Sequence, residues 1–230
     1  MNNNPIYCAI DTSDIEHAIS IISQISDYVG GIKLGLEFFT ANGIDGINKI
    51  NKFGLPLFLD FKLYDIPNTV KKSLSNILAI EPEYTTLHIS GGSEMLRECV
   101  QLKNEMKSKT NLIGITILTS FNKTSINEIG LDNSLEENVE NLSQLAYKCK
   151  IDGIVCSPLE IKKIKDKFGS KLKIIVPGIR EVNDNQNDQK RTLSAKEALQ
   201  AGADILVVGR PITQADNPAE AARSILDSLQ

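Results

Sequence analysis

The stretch Leu59-Asp60-Phe61-Lys62-Leu63-Tyr64-Asp65-Ile66-Pro67-Asn68-Thr69-Val70 sets three charges, Asp60, Lys62 and Asp65, between an apolar run and a segment opened by proline. The run Pro56-Leu57-Phe58-Leu59 leads into it as a strand. Pro67, with φ already preset for a helix, reads as the start of one. The stretch is thus the junction of a βα unit. Side chains alternate along a strand, so Asp60 and Lys62 point to the same side, about 6–7 Å apart along the chain. Burying such a pair costs about as much as it returns, so stability is a weak reason for it. These residues alone leave two readings open, a solvated salt bridge at a strand end and a functional charge cluster.

Working outward, short β-rich runs alternate with amphipathic segments through the whole chain. The runs are 6–10, 31–35, 56–62, 85–89, 112–118, 153–156, 173–176 and 204–208; helical patterns lie near 14–29, 37–53, 67–79, 92–107, 135–149, 158–168, 194–201 and 217–229. The runs are nearly continuous in apolar residues, as parallel strands covered on both faces must be. Eight βα units predict a closed (β/α)8 TIM barrel, an α/β fold that commonly occupies a chain of this length. An open doubly wound sheet would place a GxGxxG turn after an early strand, and the first turn here reads Ala9-Ile10-Asp11-Thr12-Ser13-Asp14. No linker or composition shift divides the 230 residues, so one barrel domain over 1–230 is expected.

The net charge of −4, without a Lys/Arg-rich run, argues against nucleic acid as an extended partner and favours small-molecule chemistry. No secretory pattern opens the chain and no run of about 18 apolar residues occurs, which predicts a soluble, cytoplasmic protein without membrane contact. Cys8, Cys99, Cys149 and Cys156 are scattered without a CxxC pair and read as small buried hydrophobes. His17 and His88 form none of the usual zinc spacings, leaving only a carboxylate metal site open.

In a barrel, functional residues stand just after the strands. Asp11 follows strand 1, where Thr12, Ser13 and Asp14 are rivals for an ordinary helix-cap role. Lys33 lies inside the apolar run Gly31-Ile32-Lys33-Leu34-Gly35, where a charge is costly unless paired or useful. Neighbouring strands are about 4.8 Å apart, so Lys33 reaches Asp60 and Lys62, and a third strand-borne charge shifts the balance towards a functional cluster. His88 after strand 4 reads as a hydrogen-bonded barrel residue rather than a base. Thr119 and Ser120 after strand 5 offer hydroxyls to a polar ligand edge, or to a turn. Cys156-Ser157-Pro158 looks structural. After strand 7, Pro177-Gly178-Ile179-Arg180 runs into about a dozen polar residues, a loop of the length that lids often take. After strand 8, Val208-Gly209-Arg210-Pro211 joins open backbone amides to a guanidinium at the usual phosphate cradle of this fold.

The motif from Asp60 to Thr69 resembles that of the orotidine 5′-phosphate decarboxylase family, bacterial type. So do Ala9-Ile10-Asp11, Ile32-Lys33-Leu34-Gly35, Leu118-Thr119-Ser120, Pro177-Gly178-Ile179-Arg180, Asp188-Gln189 and Val208-Gly209-Arg210-Pro211. The likeness runs from strand 1 to strand 8, and only the Asn-rich segment Glu181-Val182-Asn183-Asp184-Asn185-Gln186-Asn187 is unusual. It implies a carboxy-lyase that converts orotidine 5′-monophosphate to UMP and CO2, the last step of de novo pyrimidine synthesis, without a metal or organic cofactor. It also implies a homodimer in which Asp65, Ile66 and Thr69 of one subunit complete the other's site. Lys62 would be the proton donor, with Lys33, Asp60 and Asp65 as its charged network. Asp11 and Thr69 would meet the ribose hydroxyls, and Thr119 or Ser120 the pyrimidine. Arg180, Gln189, Gly209 and Arg210 would serve the phosphate. A rival is a Mg2+-dependent sugar-phosphate lyase similar to 3-keto-gulonate 6-phosphate decarboxylase, whose metal-binding Glu is replaced here by Lys33. Another is a barrel that binds a phosphate ligand without turnover.

Overall fold

The computed structural model describes residues 4–179 and 193–229. Eight parallel strands close in sequence order into one barrel: β1 (Ile6–Ile10), β2 (Gly31–Leu34), β3 (Leu57–Leu63), β4 (Tyr84–His88), β5 (Asn111–Ile115), β6 (Gly153–Val155), β7 (Lys173–Pro177) and β8 (Ile205–Val208). The expected (β/α)8 architecture is therefore present. The helices bearing on the site are α1 (Ile15–Ile25), α2 (Leu36–Asn51), α3 (Pro67–Leu78) and α4 (Gly92–Glu105). Each follows a strand after four residues or fewer. Asp14 caps α1 through the amides of Glu16 and His17, and Pro67 opens α3.

Alternation along the strands divides the core in two. Ile6, Cys8, Ile10, Ile32, Leu34, Leu57 and Leu59 face the helices, while Tyr7, Ala9, Phe58, Tyr84, Ile113, Ile175 and Val207 fill the barrel. The rings of Tyr7, Phe58 and Tyr84 meet edge-on with centroids 5.5–6.4 Å apart, closing the barrel below the strand ends. Tyr7 is further fixed by donating its hydroxyl to Glu83 Oε2 at 2.8 Å. This plug fills the lower interior, beneath the open space at the C-terminal mouth.

Several boundaries differ from those the sequence suggests, most of them by one residue. β5 ends at Ile115 rather than Leu118, because Thr116 Oγ1 donates to the Val155 carbonyl at 2.7 Å and the chain then turns out along the mouth. The polar stretch after it contains α5 (Lys123–Glu128), capped by Asn122, and precedes α6 (Leu135–Lys148), opened by a Ser134/Glu137 capping box. Further on lie α7 (Ile161–Phe168) and α8 (Ala195–Ala201). Beyond β8 a short helix, α9 (Arg210–Thr213), precedes α10 (Pro218–Ser228). Asp204 lies outside β8 and accepts from the Ile174 amide and from Lys165.

Gly31 tests the plug. A Cβ there would lie 2.2 Å from a ring carbon of Tyr7 and 2.7 Å from the Pro56 carbonyl oxygen, neither free to retreat. Gly31→Ala is expected to lower unfolding free energy by about 1–3 kcal/mol through overpacking, read as a lower urea midpoint at unchanged slope.

Candidate active site

β3 departs from a regular ladder where the sequence places its charges. Leu59 pairs with Thr85 but Leu63 pairs with Leu87, so four residues of β3 advance against two of β4. Lys62 absorbs the excess at φ 51°, in the left-handed region that a non-glycine residue occupies only at a cost. Phe61 turns outwards onto Phe39 of α2, with centroids 4.6 Å apart, while Asp60 and Lys62 point into the barrel. Simple alternation anticipates this convergence; the bulge is what the sequence does not reveal.

Four charges are joined in a row. Lys62 Nζ lies 2.7 Å from Asp60 Oδ2, Lys33 Nζ lies 3.7 Å from the same oxygen, and Lys33 Nζ lies 3.0 Å from Asp11 Oδ1. The side chains of Lys33 and Asp60 are only 10% and 13% exposed, so the inner pair is largely desolvated, whereas Asp11 stands at the rim. Burial opposes the charge on Lys33, but Asp60 and Asp11 more than offset it and hold its ammonium above the ordinary lysine range. Burial likewise raises the Asp60 carboxyl, and the charges of Lys33 and Lys62, with hydrogen bonds from Lys62 and Thr86, reverse that and hold it below the usual carboxylate range. Both inner groups are therefore charged near neutral pH.

These residues form one wall of a cavity of about 460 Å³ at the C-terminal mouth of the barrel, a volume suited to one small ligand. Phe58, Ile175 and Val207 form its floor. Ile115, Ile117, Leu118 and Val155 make an apolar wall facing the charges, with Thr119 at its edge. On the third side are Pro177, Gly178, Gly209, Arg210 and Gln214. Gly178 has φ 77°, a conformation that favours glycine. Among the described residues, no group of three or more His, Cys, Asp or Glu side chains could hold a metal ion.

Of the residues singled out from the sequence, Asp11, Lys33, Asp60, Lys62, Thr119, Gly209 and Arg210 line this one cavity. Ser120 is exposed and is not part of the lining. Asp65, Ile66 and Thr69 are exposed beyond the mouth, and Asp65 Oδ1 accepts from the Ile66 amide at 2.6 Å, so within a single chain Asp65 is outside the charge cluster. Arg180 and Gln189 lie outside the described residues. His88, expected as a hydrogen-bonded barrel residue, packs at a tilt against the exposed ring of Tyr64 with centroids 5.3 Å apart, and burial and then the charge of Lys62 lower its pKa. Burial pushes the thiol of Cys99 up to about 12 and those of Cys8 and Cys156 higher, which suits packing rather than nucleophilic roles.

Sequence reasoning missed Thr86, Glu37 and Gln214. Thr86 was detectable, since period two from Tyr84 to His88 turns it inwards at the level of the charges. Glu37 and Gln214 carry no signal beyond their position just after strands.

Residues 4–225 match the sequence pattern described as the orotidine 5′-phosphate decarboxylase / HUMPS family. The chain belongs to this family. It is 47% identical over 226 residues to an orotidine 5′-phosphate decarboxylase of Wolbachia pipientis subsp. Culex pipiens, covering 98% of this chain and 99% of that one. It is 45% identical over 230 residues to the orotidine 5′-phosphate decarboxylase of Ehrlichia chaffeensis, covering 100% and 98%. The crystal structure of orotidine 5′-phosphate decarboxylase from Lactobacillus acidophilus superposes with a TM-score of 0.86 at 32% identity, covering 99% of both chains. The family pattern thus spans the charged wall, the apolar wall and the β8 side of the cavity.

Asp60→Asn removes the charge shared by two lysines, one of them buried, and is expected to reduce unfolding free energy by about 3 kcal/mol. The folded-state pKa of Asp60 is depressed, so its contribution is present above the unfolded value of about 4 and fades as pH falls through the folded value. Lys33 is raised, so its contribution is complete below the unfolded value of about 10.4 and fades only as pH rises through the folded one. Urea unfolding of parent and Asp60→Asn should therefore differ by a constant amount from about pH 5 to 9 and converge in acid.

Proposed function

We propose that this chain is a carboxy-lyase that converts orotidine 5′-monophosphate to UMP and CO2, the closing step of de novo pyrimidine synthesis. The observation that carries the reading is the Lys62 ammonium, bonded at 2.7 Å to a largely buried Asp60, on one side of a cavity that has Arg210 on another. When the bond from C6 to the carboxylate breaks, CO2 leaves and the electron pair stays on C6 in the plane of the ring, where the π system cannot spread it. An ammonium at that edge stabilises the developing charge and then gives up a proton to C6, forming the new C–H bond and leaving a neutral amine that solvent reprotonates. At an effective dielectric of about 20, two unit charges 4 Å apart interact by about 4 kcal/mol. Felt only in the transition state, that equals roughly three powers of ten in rate.

Asp60 holds Lys62 in place, and Lys33 balances Asp60. Asp11 and Thr69 meet the ribose hydroxyls, Thr119 rather than the exposed Ser120 meets the pyrimidine, and Arg210 with the Gly209 amide receives the phosphate. Arg180 and Gln189 serve the same phosphate from the loop after β7, so that remote binding energy organises the reacting end. The chemistry needs no metal or organic cofactor, and Lys33 supports this by placing a cation between Asp11 and Asp60, where a divalent ion would be repelled. The active form is a homodimer. Tyr64 and Ile66 expose 62% and 66% of their surfaces around Asp65, an apolar patch that a second copy would cover. Asp65, Ile66 and Thr69 then complete the partner's site, and Asp65 extends the row of charges to Lys-Asp-Lys-Asp.

Lys62→Ala is expected to abolish turnover while nucleotide still binds, measured by the absorbance fall on adding orotidine 5′-monophosphate and by calorimetry with UMP. Near-normal turnover would remove Lys62 from the mechanism. Mixing Lys62→Ala with Asp65→Ala subunits should restore activity, since one site of each heterodimer regains both residues; isolated heterodimers that stay inactive would refute the shared site. Activity that vanishes with EDTA and returns with Mg2+ would point instead to a metal-dependent sugar-phosphate lyase.

A further inference from the structure

Thr86 on β4 is fully buried, and its hydroxyl makes two bonds that converge on the charged wall. It accepts from the Lys62 backbone amide at 2.8 Å and donates to Asp60 Oδ1 at 2.9 Å. The other carboxylate oxygen of Asp60 receives Lys62 Nζ at 2.7 Å. One hydroxyl thus ties the backbone of Lys62 to the carboxylate that holds its side chain. The adjacent Thr85 Oγ1 donates to the Leu59 carbonyl at 3.0 Å, so consecutive threonines fasten β3 on both sides of its bulge.

The bulge explains why a side chain is needed there. With four residues of β3 set against two of β4, the regular ladder is broken at Lys62, whose half-buried amide is satisfied by the Thr86 hydroxyl instead of a β4 carbonyl. The left-handed φ of Lys62 adds a cost that the surroundings must over-determine. A hydroxyl at 86 meets both demands, because it can accept and donate at once. An apolar residue of the same shape would fill the space but satisfy neither Lys62 nor Asp60.

We infer that Thr86 is a positioning residue for Lys62: its hydroxyl fixes the bulge of β3 and the orientation of Asp60, and so sets where the Lys62 ammonium meets the substrate. This rests on the reading of Lys62 as proton donor. Thr86 itself does not line the cavity, so its effect passes through Lys62 and Asp60.

The test compares full-length Thr86→Val, which keeps shape and loses the hydroxyl, with Thr86→Ser, which keeps the hydroxyl. In Thr86→Val, kcat for orotidine 5′-monophosphate decarboxylation should fall about ten- to a hundredfold, as for loss of a hydrogen bond to a charged group, with KM within about threefold. The acid limb of kcat/KM should move to higher pH, because Asp60 loses a bond that favours its charged form. Asp60 is faced by Lys62 on its own strand, Lys33 on β2 and half-buried His88 on β4, with Asp11 behind Lys33. The limb is therefore assigned by a carbon-13 NMR titration of the Asp60 carboxylate. Thr86→Ser should recover most of kcat and the parental limb. Parental kcat with an unmoved limb in Thr86→Val overturns the inference. So does a Thr86→Ser enzyme as impaired as Thr86→Val, the pattern of lost packing alone. Should Thr86→Val fail to fold, Thr86→Ala against Thr86→Ser provides the same contrast. Should the parent leave the nucleotide unchanged, the functional reading falls by itself, and the NMR titration decides the positioning: an upward displacement in the variant supports it, and coincident curves overturn it.

Discussion

The carboxylate of Asp60 is the constraint on which the mouth of the barrel depends. A charge this far out of water is tolerable only if its lone pairs are taken, and here Lys62 and Lys33 share one oxygen while Thr86 holds the other. Each partner comes from a different place along the sheet: β2, the irregular end of β3, and β4. Compensating one anion therefore fixes the relative positions of three strands at the level where the cavity begins. The aromatic plug below does the complementary work, since Tyr7, Phe58 and Tyr84 leave no space for the cluster to sink into. Packing sets the floor and electrostatics set the wall.

The fold was legible because its signal is periodic. Eight apolar runs separated by amphipathic segments identify the barrel without reference to any single residue, and the strand-end rule then brings Asp11, Lys33, Asp60, Lys62, Thr119 and Arg210 to one place. What stayed hidden depends on distances that periodicity does not carry. The extra residues in β3 are invisible because Phe61 and Leu63 continue a plausible alternation. The early end of β5 follows from a Thr116 hydrogen bond to a neighbouring strand, a contact between residues far apart in sequence. Period two turns Thr86 inwards, but its bond to the Lys62 amide follows from the bulge, which periodicity does not carry. Asp65 presents the opposite case. Its motif membership was plain, yet the chain alone places it in solvent, and under the proposed assembly its partner atoms belong to another molecule.

The strain at Lys62 also accounts for the abrupt change in the chain just beyond it. Beyond the bulge the ladder resumes only for Leu63, paired with Leu87, and the backbone then leaves towards solvent, where Tyr64, Asp65 and Ile66 are exposed before Pro67 begins α3. Proline suits this site, since it removes an amide that the first helical turn could not satisfy and fixes the direction of departure. One short segment therefore presents a charged inner face to the cavity and, a few residues later, an apolar outer face. Under the proposed assembly, the same stretch lines one site and closes another.

The asymmetry of the cavity sets the strength of the chemistry assigned to it. Coulombic stabilisation of a carbanion by Lys62 scales inversely with the local dielectric, and water between the two would reduce it severalfold. Ile115, Ile117, Leu118 and Val155 line the cavity with apolar side chains that bring no competing dipole, and a ligand packed against them would displace that water. Under the proposed reading, Arg210 on the third side of the cavity would hold the phosphate away from the reacting carbon. Under the proposed reading, a ligand held by its phosphate at β8 and its ring against β5 would be pressed towards Lys62 by contacts that take no part in bond breaking. Such remote binding energy accelerates a reaction only when the reacting group is already in place. If Lys62 is the proton donor, as proposed, the bonds that keep it in its strained conformation are as much a condition for catalysis as its charge.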